Sequence, residues 1–316
     1  MKLSAESQSV ISDELVAKVG QFFNYDVSTW HELPGGIENT VISVSLSDGS
    51  EKVQKHYNRN HELARISLEL TIMGVAEECS IPLPSLDASE SNHQVFRHLA
   101  QGYEWYVVSM NKVDGHHPDV YRGAWVSELA RYQARLHNMD TSGVTTNSAI
   151  NLTNDYKYFP INPSVHTGLS DISEVVAVHL RNVVGAWPYL PSGVSHHDIT
   201  RSNVLVSDDN VAAVIDFEDV ATAPYIFCLA GTLWDIFTST GIGEAEKYLA
   251  DYKKERSLSA LESSTLRDMI IIRGWLDLHG KLLTAGFGSD SHIYIQDYLE
   301  KLVSGYGFNL TGVSEQ

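Results

Sequence analysis

A change of hydrophobic periodicity near residue 113 divides this chain. Before it, short β-branched runs alternate with small polar residues and end at turn signals. After it, apolar residues recur at spacings of three and four. A chain patterned this way is expected to fold as an α+β protein. A small, strand-rich N-terminal lobe (1–112) is followed by a larger, mostly helical C-terminal lobe (113–316), with a short hinge near 109–115. The 316 residues exceed one compact core of ~150 residues, so two domains are expected on length as well. With 43% hydrophobic and 20% charged residues, a disordered or fibrous chain is excluded.

The N-terminal pattern opens with a helix from Ser12 to Phe23. A glycine turn at Pro34-Gly35-Gly36 leads to a β-branched run, NTVISVSLSDG, ending in the turn pair Asp48-Gly49, and EKVQKHYN returns as the second strand of a hairpin. Leu63, Ile66, Leu70 and Met73 then mark an amphipathic helix, stopped by Pro82 and Pro84. HQVFRHLAQ and YEWYVVSMNKV read as two further strands around Gly102. Beyond Gly115, Trp125, Leu129, Tyr132, Leu136 and Met139 form a buried helical stripe, and residues 171–184 form another helix. From Asp235 the chain is helical again, with a loop at Ser257-Leu258 and a glycine-rich break from Gly286 to Gly288.

One β island interrupts these helices: NVLV, the turn SDDN, then VAAVIDF. It carries the chemistry. His196 and Asp198 precede its first strand, Asn203 opens that strand and Asp216 ends the returning one, so the hairpin brings Asn203 and Asp216 together. A carboxamide and a carboxylate supply the hard oxygen donors that magnesium takes alongside waters and substrate phosphates. Asp198 is then left to accept the proton of an attacking hydroxyl, the sparse set that phosphoryl transfer requires.

The pattern His-x-Asp-x-x-x-x-Asn followed by Ile-Asp-Phe-Glu resembles the aminoglycoside phosphotransferase and choline kinase superfamily, small-molecule kinases with a protein-kinase-like fold. The resemblance covers nearly the whole chain. It implies a two-lobed fold with a five-stranded antiparallel N-terminal lobe, ATP or GTP as phosphate donor and Mg2+ as cofactor. It implies Asp198 as base, Asn203 and Asp216 as metal ligands, and Gly35, Gly36 and Asn39 as the nucleotide loop. Lys55 falls at the position of the strand lysine that meets the nucleotide's α- and β-phosphates. Lys52 competes for that role, and the spacing from Asp48-Gly49 favours Lys55. The lysine's expected partner is Glu69, about 40° around the helix from Met73, with Glu62 as the alternative. Val107 to Met110 resemble the hinge, so Ser109 and Met110 are expected at the adenine edge. His137, in an Ala-x-Leu-His match, is read as structural.

Two departures stand out. His197 occupies the place where many relatives have glycine in His-Gly-Asp, and Cys228 the place of a helix-capping aspartate. They are the support for a competing class, a catalytically inactive kinase-like nucleotide-binding or regulatory protein. For the acceptor, the resemblance implies an aminoglycoside, choline or ethanolamine, or homoserine. Candidate acceptor residues are Glu218 and Asp219 after the metal aspartate, Arg201 in the loop, and the aromatics Trp234 and Trp275. The net charge of −18 argues against a nucleic-acid partner. Two cysteines, no basic-apolar leader and no apolar run of ~18 residues predict a cytoplasmic chain without a membrane partner.

Overall fold

The computed structural model describes residues 11–34, 39–58, 61–100, 102–144, 146, 148–150, 152, 170–285, 297 and 301. The predicted turn at Gly35-Gly36 and the break at Gly286 to Gly288 lie outside these. The chain forms two compact units, residues 1–67 with 83–114 and residues 68–82 with 115–316.

The first unit is built on a five-stranded antiparallel sheet. Its strands are β1 (Val27–Glu32), β2 (Thr40–Leu46), β3 (Glu51–His56), β4 (Phe96–Ala100) and β5 (Tyr103–Asn111), in the order β1-β2-β3-β5-β4. β1 has no alternating apolar pattern to announce it. It is an edge strand with Val27 and Trp30 half-buried, and the Trp30 indole N–H donates to Asp13 at 2.8 Å. Helix α1 (Asp13–Phe22) is capped by Ser12, whose hydroxyl accepts from the Leu15 N–H at 3.2 Å. Leu15, Val19 and Phe23 pack on Val107, and Val16 packs on Ile42, Val44 and Leu46.

A polar chain also runs through this unit. Lys52 pairs with Asp87 at 2.6 Å, and the Ser109 hydroxyl donates to the same carboxylate at 2.7 Å. Tyr25 joins Ser109 at 2.9 Å, Gln54 donates to Tyr25 at 2.9 Å, and His56 meets Gln54 at 3.1 Å. The buried Gln54 amide and Ser109 hydroxyl thereby find partners, which avoids about 1–3 kcal/mol of desolvation penalty apiece, whereas His56 is bonded through Nε2 and its Nδ1 has no partner.

Helix α2 (Leu63–Glu78) buries Ile66, Leu70 and Met73, the stripe read from the sequence. The second unit holds α3 (Ala124–Leu136), α4 (Ser170–Ala186), α5 (Tyr225–Ser239), α6 (Ile242–Glu255) and α7 (Ala260–Ala285). α5 is buried along nearly its whole length and packs against α6 and α7. It absorbs most of the apolar run from Val220 to Trp234. No helix among the described residues is long and apolar enough to cross a membrane.

Two small antiparallel sheets lie between α4 and α5 in sequence. β6 (Ser192–Ser195) pairs with β9 (Ala221–Pro224), and β7 (Val204–Ser207) with β8 (Asn210–Val214). The second is the β island. Its turn, Asp208-Asp209, takes positive φ at both residues. The Asp209 carboxylate accepts from the Ala124 backbone N–H at 3.0 and 3.1 Å, so it caps α3 from a distant turn. Gly123 makes room, because a Cβ there would coincide with that carboxylate. Asp209→Ala is therefore expected to lower unfolding stability by about 1–2 kcal/mol, and Asp209→Asn by less. Both show as shifts in urea midpoint at unchanged slope.

Candidate active site

The loop between β6 and β7 carries Asp198, and its path is set by side chains gripping its carbonyl groups in succession. Arg273 of α7 donates from Nη2 to the His197 carbonyl at 3.3 Å. Asn203 donates from Nδ2 to the Asp198 carbonyl at 2.9 Å. Thr232 of α5 donates from Oγ1 to the Ile199 carbonyl at 2.7 Å. Asn203 Nδ2 also reaches the Asp198 carboxylate, at 2.7 Å, and so fixes the side chain as well as the backbone. Behind Thr232 the bonds continue inward: Gln133 of α3 donates to Thr232 at 2.8 Å and accepts from Tyr248 of α6 at 2.9 Å. Gln133, Thr232 and Tyr248 are all buried.

The two histidines before Asp198 act on the same loop. His196 Nε2 meets the Ile215 carbonyl at 2.9 Å, its Nδ1 accepts from the Asp198 N–H at 3.3 Å, and its ring lies 4.4 Å from Phe217. His197 has φ +64°, the left-handed region. That geometry accounts for a glycine in His-Gly-Asp sequences, since glycine enters it without steric cost. Here the ring is buried and its Nε2 bonds the Ala221 carbonyl at 2.7 Å, tying the loop to β9.

Asn203 and Asp216 are brought together. The Ile215 N–H donates to the Asn203 carbonyl at 2.9 Å, which sets Asp216 one residue further on. Asp216 has φ +63° and ψ +66°, turning the chain out of the hairpin into the one-turn helix Phe217–Asp219. Because the Asn203 amide nitrogen is occupied by Asp198, its Oδ1 is the atom left for a cation, and Asp216, adjacent along the paired backbone, is exposed. Two hard oxygen donors of this kind fit Mg2+, which completes its octahedron with water and phosphate oxygens. Among the described residues no group of three His, Cys, Asp or Glu gathers to enclose a metal alone.

In the first unit, Lys55 is 6% exposed on β3, opposite Val41 and Val108, with its ammonium 5.1 Å from the Tyr57 ring centroid. Glu69 on α2, which belongs to the second unit, is 5% exposed, so it is not a solvated surface carboxylate. Asn39 accepts from the Asn58 N–H at 3.0 Å. Ser109 and Met110 lie inside β5, paired with Gln54 and Val53. The Ser109 carbonyl already accepts from Asp87 N–H at 2.9 Å, and its hydroxyl belongs to the polar chain described above.

Asp198 also lines a cavity of about 280 Å3 with Thr200, Asp219, Gly231, Trp234, Asp235, Arg273, Leu276 and Asp277. Of the acceptor candidates read from the sequence, Asp219 and Trp234 line it, whereas Glu218, Arg201 and Trp275 do not. Arg201 is turned to Asp235, with Nη1 at 3.7 Å from the carboxylate and its N–H donating to it at 3.1 Å. Trp275 is 1% exposed, a core residue. Sequence reasoning missed Arg273, Asp235 and Asp277. Their side chains reach this cavity only through the packing of α5 against α7, which no local pattern encodes. Cys228 is the fourth residue of α5 and caps nothing. It is buried and takes a bond from Gln133 at 3.4 Å. His137 bonds Tyr252 at 2.6 Å and stacks on Tyr225, a structural placement.

With this geometry in place, comparison with known proteins is informative. The model of the phosphotransferase enzyme family matches residues 29–262, and the chain belongs to that family. A homoserine kinase of Rhodopseudomonas palustris (strain BisB5) is 31% identical over 107 residues, 32% of this chain and 32% of that protein. The match thus spans about a third of the curated relative's length. An amicoumacin kinase, solved in complex with AMP-PNP and Ca2+, superposes with TM-score 0.74 at 16% identity, covering 96% of this chain and 98% of that one. A microcompartment-associated aminopropanol kinase superposes with TM-score 0.71 at 19% identity, covering 94% and 100%. At such identities the likeness shows the fold, which is protein-kinase-like.

Burial pushes the His197 imidazole down to about 3, and burial beside His98 does the same to His56. Both rings are neutral in the folded protein, whereas the unfolded chain protonates them below about 6.5. The unfolded state therefore binds more protons in the window from 6.5 down to 3, and stability falls as pH drops through it. Each ring should cost on the order of 2 kcal/mol between pH 6.5 and pH 5. Denaturant titrations at the two pH values should show the loss. His197→Asn, which tolerates positive φ and does not titrate, should reduce it.

Proposed function

We propose that this protein transfers the γ-phosphate of ATP or GTP to a hydroxyl of a small acceptor. The observation that carries this reading is the Asp198 carboxylate, locked by Asn203 on a loop gripped at consecutive carbonyls and lining a cavity that can receive an acceptor. Phosphoryl transfer depends mainly on positioning and charge stabilisation, which suits so sparse a constellation.

Asp198 accepts the hydroxyl proton as the acceptor oxygen bonds to the γ-phosphorus. The bridging P–O bond breaks, and its electron pair leaves on the nucleoside diphosphate. Asn203 and Asp216 would hold Mg2+, which when bound supplies charge neutralisation on the donor's phosphates. Lys55 and Glu69, buried in their own units, are assigned to the nucleotide, together with Gly35, Gly36, Asn39, Ser109 and Met110. Residues 1–112 are read as the nucleotide lobe and 113–316 as the catalytic and acceptor lobe. The acceptor is a small hydroxyl compound bearing an amine, of the kind named for the relatives: amicoumacin, an aminopropanol or homoserine.

A nucleotide-coupled assay against a panel of hydroxylated amines and amino acids tests the reading. Asp198→Asn is expected to lower kcat by about 10²–10⁴-fold with nucleotide binding retained. Nucleotide binding without turnover of any panel member, and an Asp198→Asn variant identical to the parent, would overturn it. Asp216→Ala is expected to shift the Mg2+ concentration for half-maximal nucleotide binding upward by tenfold or more. An unchanged Mg2+ titration would move the metal elsewhere.

A further inference from the structure

Helices α5 and α7 meet through a reciprocal pair of glycine seats. A Cβ on Gly231 of α5 would come within 2.9 Å of Nε, Cζ and Nη2 of Arg273 on α7. A Cβ on Gly274 of α7 would come within 2.9 Å of Cδ2, Cε2 and Cε3 of Trp234 on α5. Each helix thus presents bare backbone to the large side chain of the other, and both side chains line the cavity beside Asp198. Glycine is the residue that permits so close an approach.

Among the residues lining that cavity, Trp234 is the one aromatic, and the other uncharged side chains, Thr200 and Leu276, are smaller. Trp234 is 4% exposed, so nearly all of its surface is covered. Its fused-ring carbons lie against Gly274, its N–H donates to Asp277 at 3.1 Å, and its ring stands 5.8 Å from that of Phe237 on the same helix. An indole held at its face and its N–H edge gives up a hydrogen bond and buried apolar area if it swings aside. The wall it forms is therefore stiff. The cavity itself is small, about 280 Å3, below the roughly 300–1,000 Å3 of pockets that take drug-sized ligands.

We infer that Trp234 is a specificity-determining residue that sets the size of the acceptor, which is a short, acyclic hydroxyl compound. A ring on the acceptor would have to displace the indole from its seat, and that clash supplies the repulsive half of the selectivity. This rests on the proposed phosphotransfer and deepens it by narrowing the acceptor class. Of the compounds named for the relatives, an aminopropanol and homoserine are short and acyclic.

The test sets ethanolamine beside two derivatives that carry a phenyl ring, L-phenylalaninol and N-benzylethanolamine. 3-Aminopropan-1-ol and L-homoserine serve as further short acceptors. Turnover and calorimetric affinity are measured on the full chain, for the parent, Trp234→Leu and Trp234→Ala. The parent should favour its best short acceptor over either phenyl compound by about 100-fold in kcat/KM. Both variants should cut that ratio by about tenfold or more, through an absolute gain on at least one phenyl compound. If Trp234→Ala does not fold, Trp234→Leu is read beside Trp234→Phe, which fills more of the seat and should gain less. A ratio that falls only because the short acceptors weaken would make the indole a face for an ammonium, and the inference falls. Equal losses on short and phenyl compounds would make Trp234 a core residue alone, and overturn it as well. A parent that phosphorylates the phenyl compounds as readily as the short ones also overturns it, while phosphotransfer stands. Size-selective binding that responds to Trp234 without turnover retains this inference and sinks phosphotransfer instead. Binding of none of the five compounds by the parent overturns the size assignment.

Discussion

The grip on the carbonyls of His197, Asp198 and Ile199 is the constraint around which the second unit is arranged. A loop without its own secondary structure has no ladder to satisfy its backbone, and an orphaned buried carbonyl is expensive. Here the three acceptors are met by Arg273 from α7, Asn203 from the loop's own end and Thr232 from α5. The loop is thereby as determined as a strand, although it is drawn to its position by helices remote in sequence. The Asp198 side chain inherits that precision through the second bond from Asn203.

The inward extension of this grip explains why a polar residue sits in the middle of α3. Gln133 is fully buried, in a helix whose neighbours Leu129, Ala130 and Leu136 are apolar. Its amide nitrogen is spent on Thr232 and Cys228, and its oxygen on Tyr248. A buried network of this kind stabilises one arrangement strongly because each partial arrangement leaves a donor or acceptor unmet. It links α3, α5 and α6 to the Ile199 carbonyl. Cys228, the departure from the aspartate of related sequences, is a member of this network. Burial raises its thiol above the ordinary range, which keeps it protonated.

What was legible in the sequence was local. The hairpin of β7 and β8, the stripe of α3, the opening helix near Ser12 and the adjacency of Asn203 and Asp216 all follow from periods and turns spanning a few residues. β1 was invisible because an edge strand with two half-buried side chains has no face to pattern. The sheet of β6 and β9 was invisible because its strands are four residues each and come from opposite sides of the β island. Trp275 and Arg273 show the limit for the site. Two residues apart on α7, they differ by about 200° around the helix, so one enters the core and the other the cavity. Aromatic character pointed to Trp275, and only tertiary packing distinguishes the two.

His197 shows how a break with a family pattern can be compensated locally. A non-glycine residue at φ +64° costs on the order of 1 kcal/mol in backbone strain. The imidazole offsets it by burying its ring beside Phe227 and bonding the Ala221 carbonyl, which joins the loop to β9. Glycine would relieve the strain but leave the loop without that attachment and open a void where the ring sits. The substitution therefore exchanges conformational freedom for a fixed anchor one residue from Asp198. Its cost is proton-dependent: the anchor is complete only while the ring is neutral, since a protonated imidazole at this depth has no counterion and faces Arg273.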